Sequence, residues 1–232
     1  MRANEAAWYD QHYQQVQSSL GPWYKLSLPY IRSIVRDQTR LIELGCGQGL
    51  LLRELVRTGT VREEKVYGMD QSATAVEYIR RSLPAAHAAT GDIYDLKYER
   101  DFFDVCLLME TIEHLEDPGP ALEQIFKIVA PSGKLLVSYP NFPRPDWRLF
   151  RFLAEKLGRP HWVVLQPIDK IYRVSKVIAI VSKAGFVFER GIGSGYGPPY
   201  FYRWEADWLT NLLNRFGLWR LSFHPILVFR KP

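Results

Sequence analysis

Glu110-Thr111-Ile112-Glu113-His114 sets two carboxylates and an imidazole at offsets of three and four. If the segment turns helically, all three side chains share one face. Such a group can do one of two things. His114 can take a proton as a general base while Glu113 orients its ring, or the three side chains can hold a divalent cation. A second set of chemistry-bearing residues lies nearer the start, in Leu41-Ile42-Glu43-Leu44-Gly45-Cys46-Gly47-Gln48-Gly49. An apolar run stops there at a glycine-rich turn, and an amphipathic pattern from Leu50 to Thr58 follows. Gly45 and Gly47 permit a sharp turn and Gly49 lets a helix begin close to its strand, so a ligand can lie against bare backbone. The turn contains neither Lys nor Ser/Thr, so it is not a phosphate cradle of the GxxxxGK[ST] kind. Glu43 would repel a pyrophosphate and attract a cationic amino-acid head group or a sulfonium. Lys65-Val66-Tyr67-Gly68-Met69-Asp70 reads as a second strand ending in an acid. Doubly wound nucleotide-binding units hold a ribose diol with an acid at that place.

These residues need a scaffold, and the hydrophobic pattern supplies one. Strands are expected near 40–45, 65–70, 85–90, 102–109 and 134–139, and helices near 49–58, 72–82 and 117–130. Asp117-Pro118 suits a helix start, with Asp as cap and Pro in the first turn. The alternation predicts parallel strands with right-handed crossovers, helices on both faces and ligands at the carboxyl ends of the strands. Residues 1–36 are expected to form a helical lid, with Trp8, Tyr9, His12 and Tyr13 on one stripe, ahead of a main domain over 37–232. Pro140, Pro143, Pro145, Pro160 and Pro167 predict an insertion near 140–172, with a helix between Trp147 and Gly158. A helix over Ser175 to Ala184 and a strand over Phe186 to Arg190 follow. Gly191, Gly193, Gly195 and Gly197 with Pro198 and Pro199 read as a loop. A helix near 205–216 and a strand over Ser222 to Phe229 close the chain.

Five segments together resemble the class I S-adenosylmethionine (SAM) dependent methyltransferases. They are Glu43 to Gly49, the strand ending at Asp70, Thr90-Gly91-Asp92-Ile93, Phe102 to Glu110, and Val129 to Val137. The resemblance covers residues 40–140 in order and spacing. It implies an α/β fold: a Rossmann-like, doubly wound, seven-stranded sheet, mostly parallel with an antiparallel last strand. It implies S-adenosylmethionine as cofactor, bound by Glu43, Gly45, Cys46, Gly47, Gly49, Asp70, Gln71, Asp92, Ile93, Met109 and Glu110. Within the family, a Glu-x-x-Glu-His string occurs in ubiquinone-biosynthesis O-methyltransferases and in small-RNA 2′-O-methyltransferases. His114 and Glu113 are accordingly the expected catalytic residues. The metal reading is the less favoured one, and only His161 or His224 could complete the ligand set. Tyr9, His12 and Tyr13 from the lid, with Tyr139, Asn141 and Tyr172 beyond the fifth strand, are expected to border the substrate.

Composition bounds the rest. A chain of 232 residues with 47% hydrophobic and 24% charged residues fits one globular domain. Cys46 and Cys106 are too few for a disulfide framework and read as reduced thiols of a cytoplasmic protein. No stretch reaches the ~20 apolar residues of a membrane-spanning helix. The net charge of +5 is divided unevenly: residues 1–140 carry −4, and residues 141–232 carry +9. That basic second half suits an anionic substrate, a membrane surface touched peripherally, or RNA. Nucleic acid is disfavoured because no Lys/Arg run or recognisable RNA-binding module occurs. The expected function is methyl transfer to a small-molecule or lipid-linked acceptor, at oxygen by preference, in a monomer or homodimer. An RNA 2′-O-methyltransferase and a non-catalytic SAM-binding scaffold are the alternatives.

Overall fold

Period-two alternation sorts the apolar side chains of each strand onto opposite faces of one sheet. In β1 (Leu41–Leu44), Leu41 joins one core while Ile42 and Leu44 join the other. In β4 (Phe103–Met109), Val105, Leu107 and Met109 face the first core and Cys106 and Leu108 the second. β2 (Val66–Asp70), β3 (His87–Thr90) and β5 (Val129–Ser138) run parallel with these two. β6 (Val187–Ser194) and β7 (His224–Arg230) complete a seven-stranded sheet of order β3-β2-β1-β4-β5-β7-β6. β7 is antiparallel to both of its neighbours. The structure is a computed structural model that describes residues 3–14, 20–141, 172–196 and 207–232, with a few further positions between 149 and 170.

Helices close both faces. α2 (Pro22–Ile34) and α3 (Leu50–Arg57) cover one core with Leu28, Ile31, Leu51, Leu52 and Leu55. Each such side chain contributes about 1.5–3 kcal/mol on full burial. α4 (Ala73–Ser82) starts where the Ser72 hydroxyl accepts from Ala75 N at 3.1 Å. α5 (Pro118–Ile128) starts at the expected cap, with Asp117 Oδ1 accepting from Gly119 N at 3.0 Å. α5 and α6 (Val174–Lys183) cover the second core. The expected N-terminal helical region is two helices, α1 (Ala3–His12) and α2. α7 (Asp207–Arg215) precedes the last strand. The insertion expected near 140–172 falls largely outside the described residues, as do Trp147 and His161. No helix among the described residues is long and apolar enough to cross a membrane.

One expectation fails here. The glycines after Arg190 do not begin a loop: β6 runs on through Gly191 and Gly193 to Ser194. Their missing side chains are used by neighbours. The Trp219 ring occupies the space a Cβ on Gly191 would need, and Tyr196 does the same at Gly193. Glycine punctuation here marks close packing on a strand rather than a turn.

Gly191→Val should therefore displace Trp219 and lower stability by about 1–3 kcal/mol through overpacking. The measurement is the urea midpoint at unchanged slope.

Candidate functional site

The glycine turn needs its glycines for backbone reasons and for space. Gly45, Gly47 and Gly49 have φ of 71°, 50° and 67°, where a Cβ is strained. A Cβ would also meet Thr111 at Gly45, the Tyr13 hydroxyl at Gly47 and Ile79 at Gly49, all within 2.8 Å. The turn is tied to β2, because Gly45 N and Cys46 N donate to Met69 O at 2.8 and 3.2 Å. Asp70 closes it. Its Oδ2 accepts from Gly47 N at 2.8 Å and its Oδ1 from Ser72 N at 2.9 Å. Burial pushes the Asp70 carboxyl up, and these amide bonds oppose the shift.

α1 docks on the same spot. Asp10 Oδ1 accepts from Ser72 Oγ at 2.6 Å and from Thr74 N at 3.1 Å. The Ser72 bond holds the Asp10 carboxyl below its usual range. Gln48 Nε2 donates to Tyr13 O at 3.0 Å. Burial, then the Asp70 charge, pushes the Tyr13 hydroxyl upward, so it stays protonated. Among the residues expected on this stripe, Tyr9 stacks on Tyr13. His12 points away: it is exposed and stacks on Trp8 at 5.1 Å.

Glu43 is 3% exposed and its Oε2 has no hydrogen-bond partner. Burial, reinforced by Asp70, pushes its carboxyl up to about 8. A buried carboxyl oxygen left unsatisfied is costly. A cationic group seated beside it would remove that cost, so the crevice fits a ligand bearing an ammonium or a sulfonium.

The carboxyl edge of β4 is where the sequence expectation and the structure part. Glu110, Glu113 and His114 do not share a helical face. Glu110 has φ of 52°, in the left-handed region, and the helical turn begins only at Ile112. The turned backbone sends the Glu110 carboxylate across the sheet edge. Its Oε1 accepts from Ser138 Oγ at 2.7 Å, and its Oε2 lies 3.1 Å from His224 Nδ1. His224 reaches this edge because β7 is antiparallel, which brings its first residue beside the ends of its neighbours. Glu113 is buried, and its Oε1 stands 3.7 Å from His114 Nε2, beyond hydrogen-bond distance. Among the described residues no three His, Cys, Asp or Glu side chains are placed to hold a metal ion. The Tyr139 hydroxyl is buried without a partner, and burial, then the charges of Glu110 and Glu113, push it upward.

The remaining expected residues divide. Met109 O accepts from Thr111 Oγ1 at 3.0 Å, and Asp92 Oδ1 accepts from Tyr94 N at 3.0 Å. Ile93 packs on the second core and Gln71 sits half-buried after Asp70. Tyr172 is buried, and its hydroxyl feels Asp117 and Glu113. Asn141 spends its amide on Arg220 O and Ser222 O, both at 3.1 Å, tying β5 to the approach of β7. Burial pushes the Cys46 and Cys106 thiols upward, away from thiolate chemistry. Three residues were missed, Asp10, Tyr24 and Ser138, together with His224's contact with Glu110. Tyr24 is half-buried on α2, and its hydroxyl feels Glu43, Glu110, Glu113 and Tyr13 at once. No local pattern marks it, because its neighbours come from three separate segments.

Residues 42–137 match the family described as a methyltransferase domain. Over this region the chain is similar to SAM-dependent methyltransferases, and its seven-stranded sheet has their Rossmann-like fold. A ubiquinone biosynthesis O-methyltransferase from Rhodopseudomonas palustris (strain TIE-1) is 32% identical over 115 residues, covering 48% of this chain and 42% of that protein. The chain spans less than half the length of the first curated relatives it matches. A SAM-dependent methyltransferase from Thermotoga maritima superposes with a TM-score of 0.66 at 16% identity, over 100% of this chain and 96% of that one. A geranyl diphosphate C-methyltransferase from Streptomyces coelicolor, solved with Mg2+, geranyl diphosphate and S-adenosyl-L-homocysteine, gives 0.62 at 11% identity, over 90% and 77%. At these identities the structural likeness is one of fold.

Glu43 sets a pH dependence. Its folded value of about 8 lies above the ordinary 4.5, so the folded state keeps a proton that the unfolded state releases. Stability of the ligand-free protein should fall as pH rises from 4.5 to 8 and level off above. The slope from this one group is at most about 1.36 kcal/mol per pH unit. Glu43→Gln should flatten that slope in urea midpoints taken across the window.

Proposed function

We propose that the protein transfers the methyl group of S-adenosylmethionine to an oxygen of a small-molecule or lipid-linked acceptor. The sulfonium of that donor supplies an electrophilic methyl carbon, so alignment and exclusion of water do much of the work. Asp70 would take the ribose hydroxyls. Glu43 would face the cationic amino-acid end, and the turn from Gly45 to Gly49 would carry the backbone contacts. α1, held through Asp10 and Gln48, would act as the lid over the crevice. A docked lid and an inward ring of Tyr13, Tyr24 and Tyr139 favour a compact acceptor over a folded RNA.

The observation that carries the oxygen reading is the chain Ser138–Glu110–His224 at the carboxyl edge. A hydroxyl acceptor must lose its proton as the O–CH3 bond forms. An imidazole held by a carboxylate at hydrogen-bond distance is suited to take it. We assign that role to His224, with Glu110 orienting the ring. His114 beside Glu113 is the second reading, and its 3.7 Å separation from that carboxylate is the weaker arrangement. The ubiquinone O-methyltransferase relative also acts at oxygen by its name, which supports the same atom here.

Two measurements test these assignments. Asp70→Ala should weaken SAM binding by about 1.5–3 kcal/mol, the contribution of a charged hydrogen bond, with the circular dichroism spectrum preserved. Unchanged affinity would mean the ribose lies elsewhere. For the base, His224→Asn should lower kcat about a hundred- to ten-thousandfold and abolish the acidic limb of its pH profile, while His114→Asn should keep that limb. The reverse pattern assigns the proton to His114, and an intact limb in both variants rules out an imidazole base.

A further inference from the structure

α7 is built inside out. Its inward side carries polar side chains beside the half-buried Leu209 and Leu213. Thr210 is buried, and the Asn214 side chain makes four hydrogen bonds. Its Oδ1 accepts from Gly193 N and the Tyr196 hydroxyl at 2.6 and 2.8 Å, and its Nδ2 donates to Gly193 O and the Tyr30 hydroxyl at 3.0 Å each. The Tyr30 hydroxyl in turn donates to Asn211 Oδ1 at 2.6 Å. The outward face is apolar. Trp208, Leu212 and Phe216, spaced four apart on one stripe, are 67%, 41% and 70% exposed. Leu218 and Leu221 continue the patch, so half of the ten large exposed hydrophobics among the described residues fall within 208–221. An ordinary surface helix shows the opposite arrangement.

Charge selects the occupant. From Asp207 to Pro232 the sequence holds Arg215, Arg220, Arg230 and Lys231 against a single acid, Asp207, at the start of α7. Arg230 and Lys231 are engaged by Glu189 and Asp101. Arg215 and Arg220 are exposed and flank the stripe. A second copy of the chain docked face to face would bring four arginines together against the two Asp207 carboxylates of α7, a net excess of positive charge. Anionic headgroups supply the missing charge, and arginine stems can lie along apolar surface while their guanidinium groups reach phosphate. A tryptophan at the rim of such a stripe suits the boundary between headgroup and hydrocarbon.

We infer that the outward face of α7 docks on the surface of an anionic lipid bilayer, with Trp208, Leu212 and Phe216 entering the headgroup boundary and Arg215 and Arg220 engaging lipid phosphate. The helix lies on the membrane without crossing it. The test is cosedimentation of the full chain with vesicles of phosphatidylcholine alone or mixed with phosphatidylglycerol. The protein is expected to pellet with the mixed vesicles, and added salt should release it. Trp208→Ser with Phe216→Ser should cut the bound fraction at least about tenfold while thermal melting stays as in the parent, because both side chains are solvent-exposed. Arg215→Gln with Arg220→Gln should lower binding to mixed vesicles alone. Absence of pelleting with mixed vesicles overturns the proposal, as does binding untouched by the serine pair. A concentration-dependent dimer that the serine pair abolishes, without vesicle binding, would assign the face to a second copy instead.

Discussion

One buried carboxylate holds the crevice together. Asp70 accepts from the amides of Gly47 and Ser72, which belong to segments 23 and two residues away. Ser72 passes the connection on through its hydroxyl to Asp10 on α1. The glycine turn, the start of α4 and the N-terminal helix are therefore one network with an anionic centre. A backbone in the left-handed region is weakly determined by itself, and three such glycines in five residues would leave a loose turn. The carboxylate fixes it by giving the middle amide a partner in a place where water does not compete.

The same edge gathers further acid. Glu43, Asp70, Glu110 and Glu113 lie at or near the carboxyl ends of β1, β2 and β4, in a chain whose net charge is +5. The molecule is thus acidic inside its crevice and basic along its second half. The consequence for chemistry is direct. Tyr13, Tyr24 and Tyr139 are surrounded by burial and negative charge, so their hydroxyls stay protonated. Burial, reinforced by Asp70, pushes the Glu43 carboxyl up to about 8, a shift that a cation beside it would oppose.

Most of the scaffold could be read from the residues. β1, β2 and β4 are short apolar runs bounded by Gly, Asp or Glu, and parallel buried strands leave that pattern. The Asp117-Pro118 cap and the Gly45 to Gly49 turn are local, and both carry their own geometry. What could not be read is non-local or unusual in backbone. Glu110 adopts a left-handed conformation that periodicity presumes absent, so the helical-face expectation for Glu110, Glu113 and His114 failed there. His224 reaches Glu110 only because β7 inserts antiparallel between β5 and β6, a contact across 114 residues. Gly191 and Gly193 read as a loop because composition does not show that Trp219 and Tyr196 need bare strand to lie on.

The strand order also imposes a schedule on assembly. β6 is an edge strand whose ladder is made with β7 alone, and β7 is the later of the two in the chain. β6 must therefore wait, unpaired, until residues 224–230 arrive and slot in beside β5. The strands β1, β2 and β4 pair with one another within 41–109. Long loops close slowly, so the pairings within 41–109 are expected ahead of the rim that residues 224–230 complete.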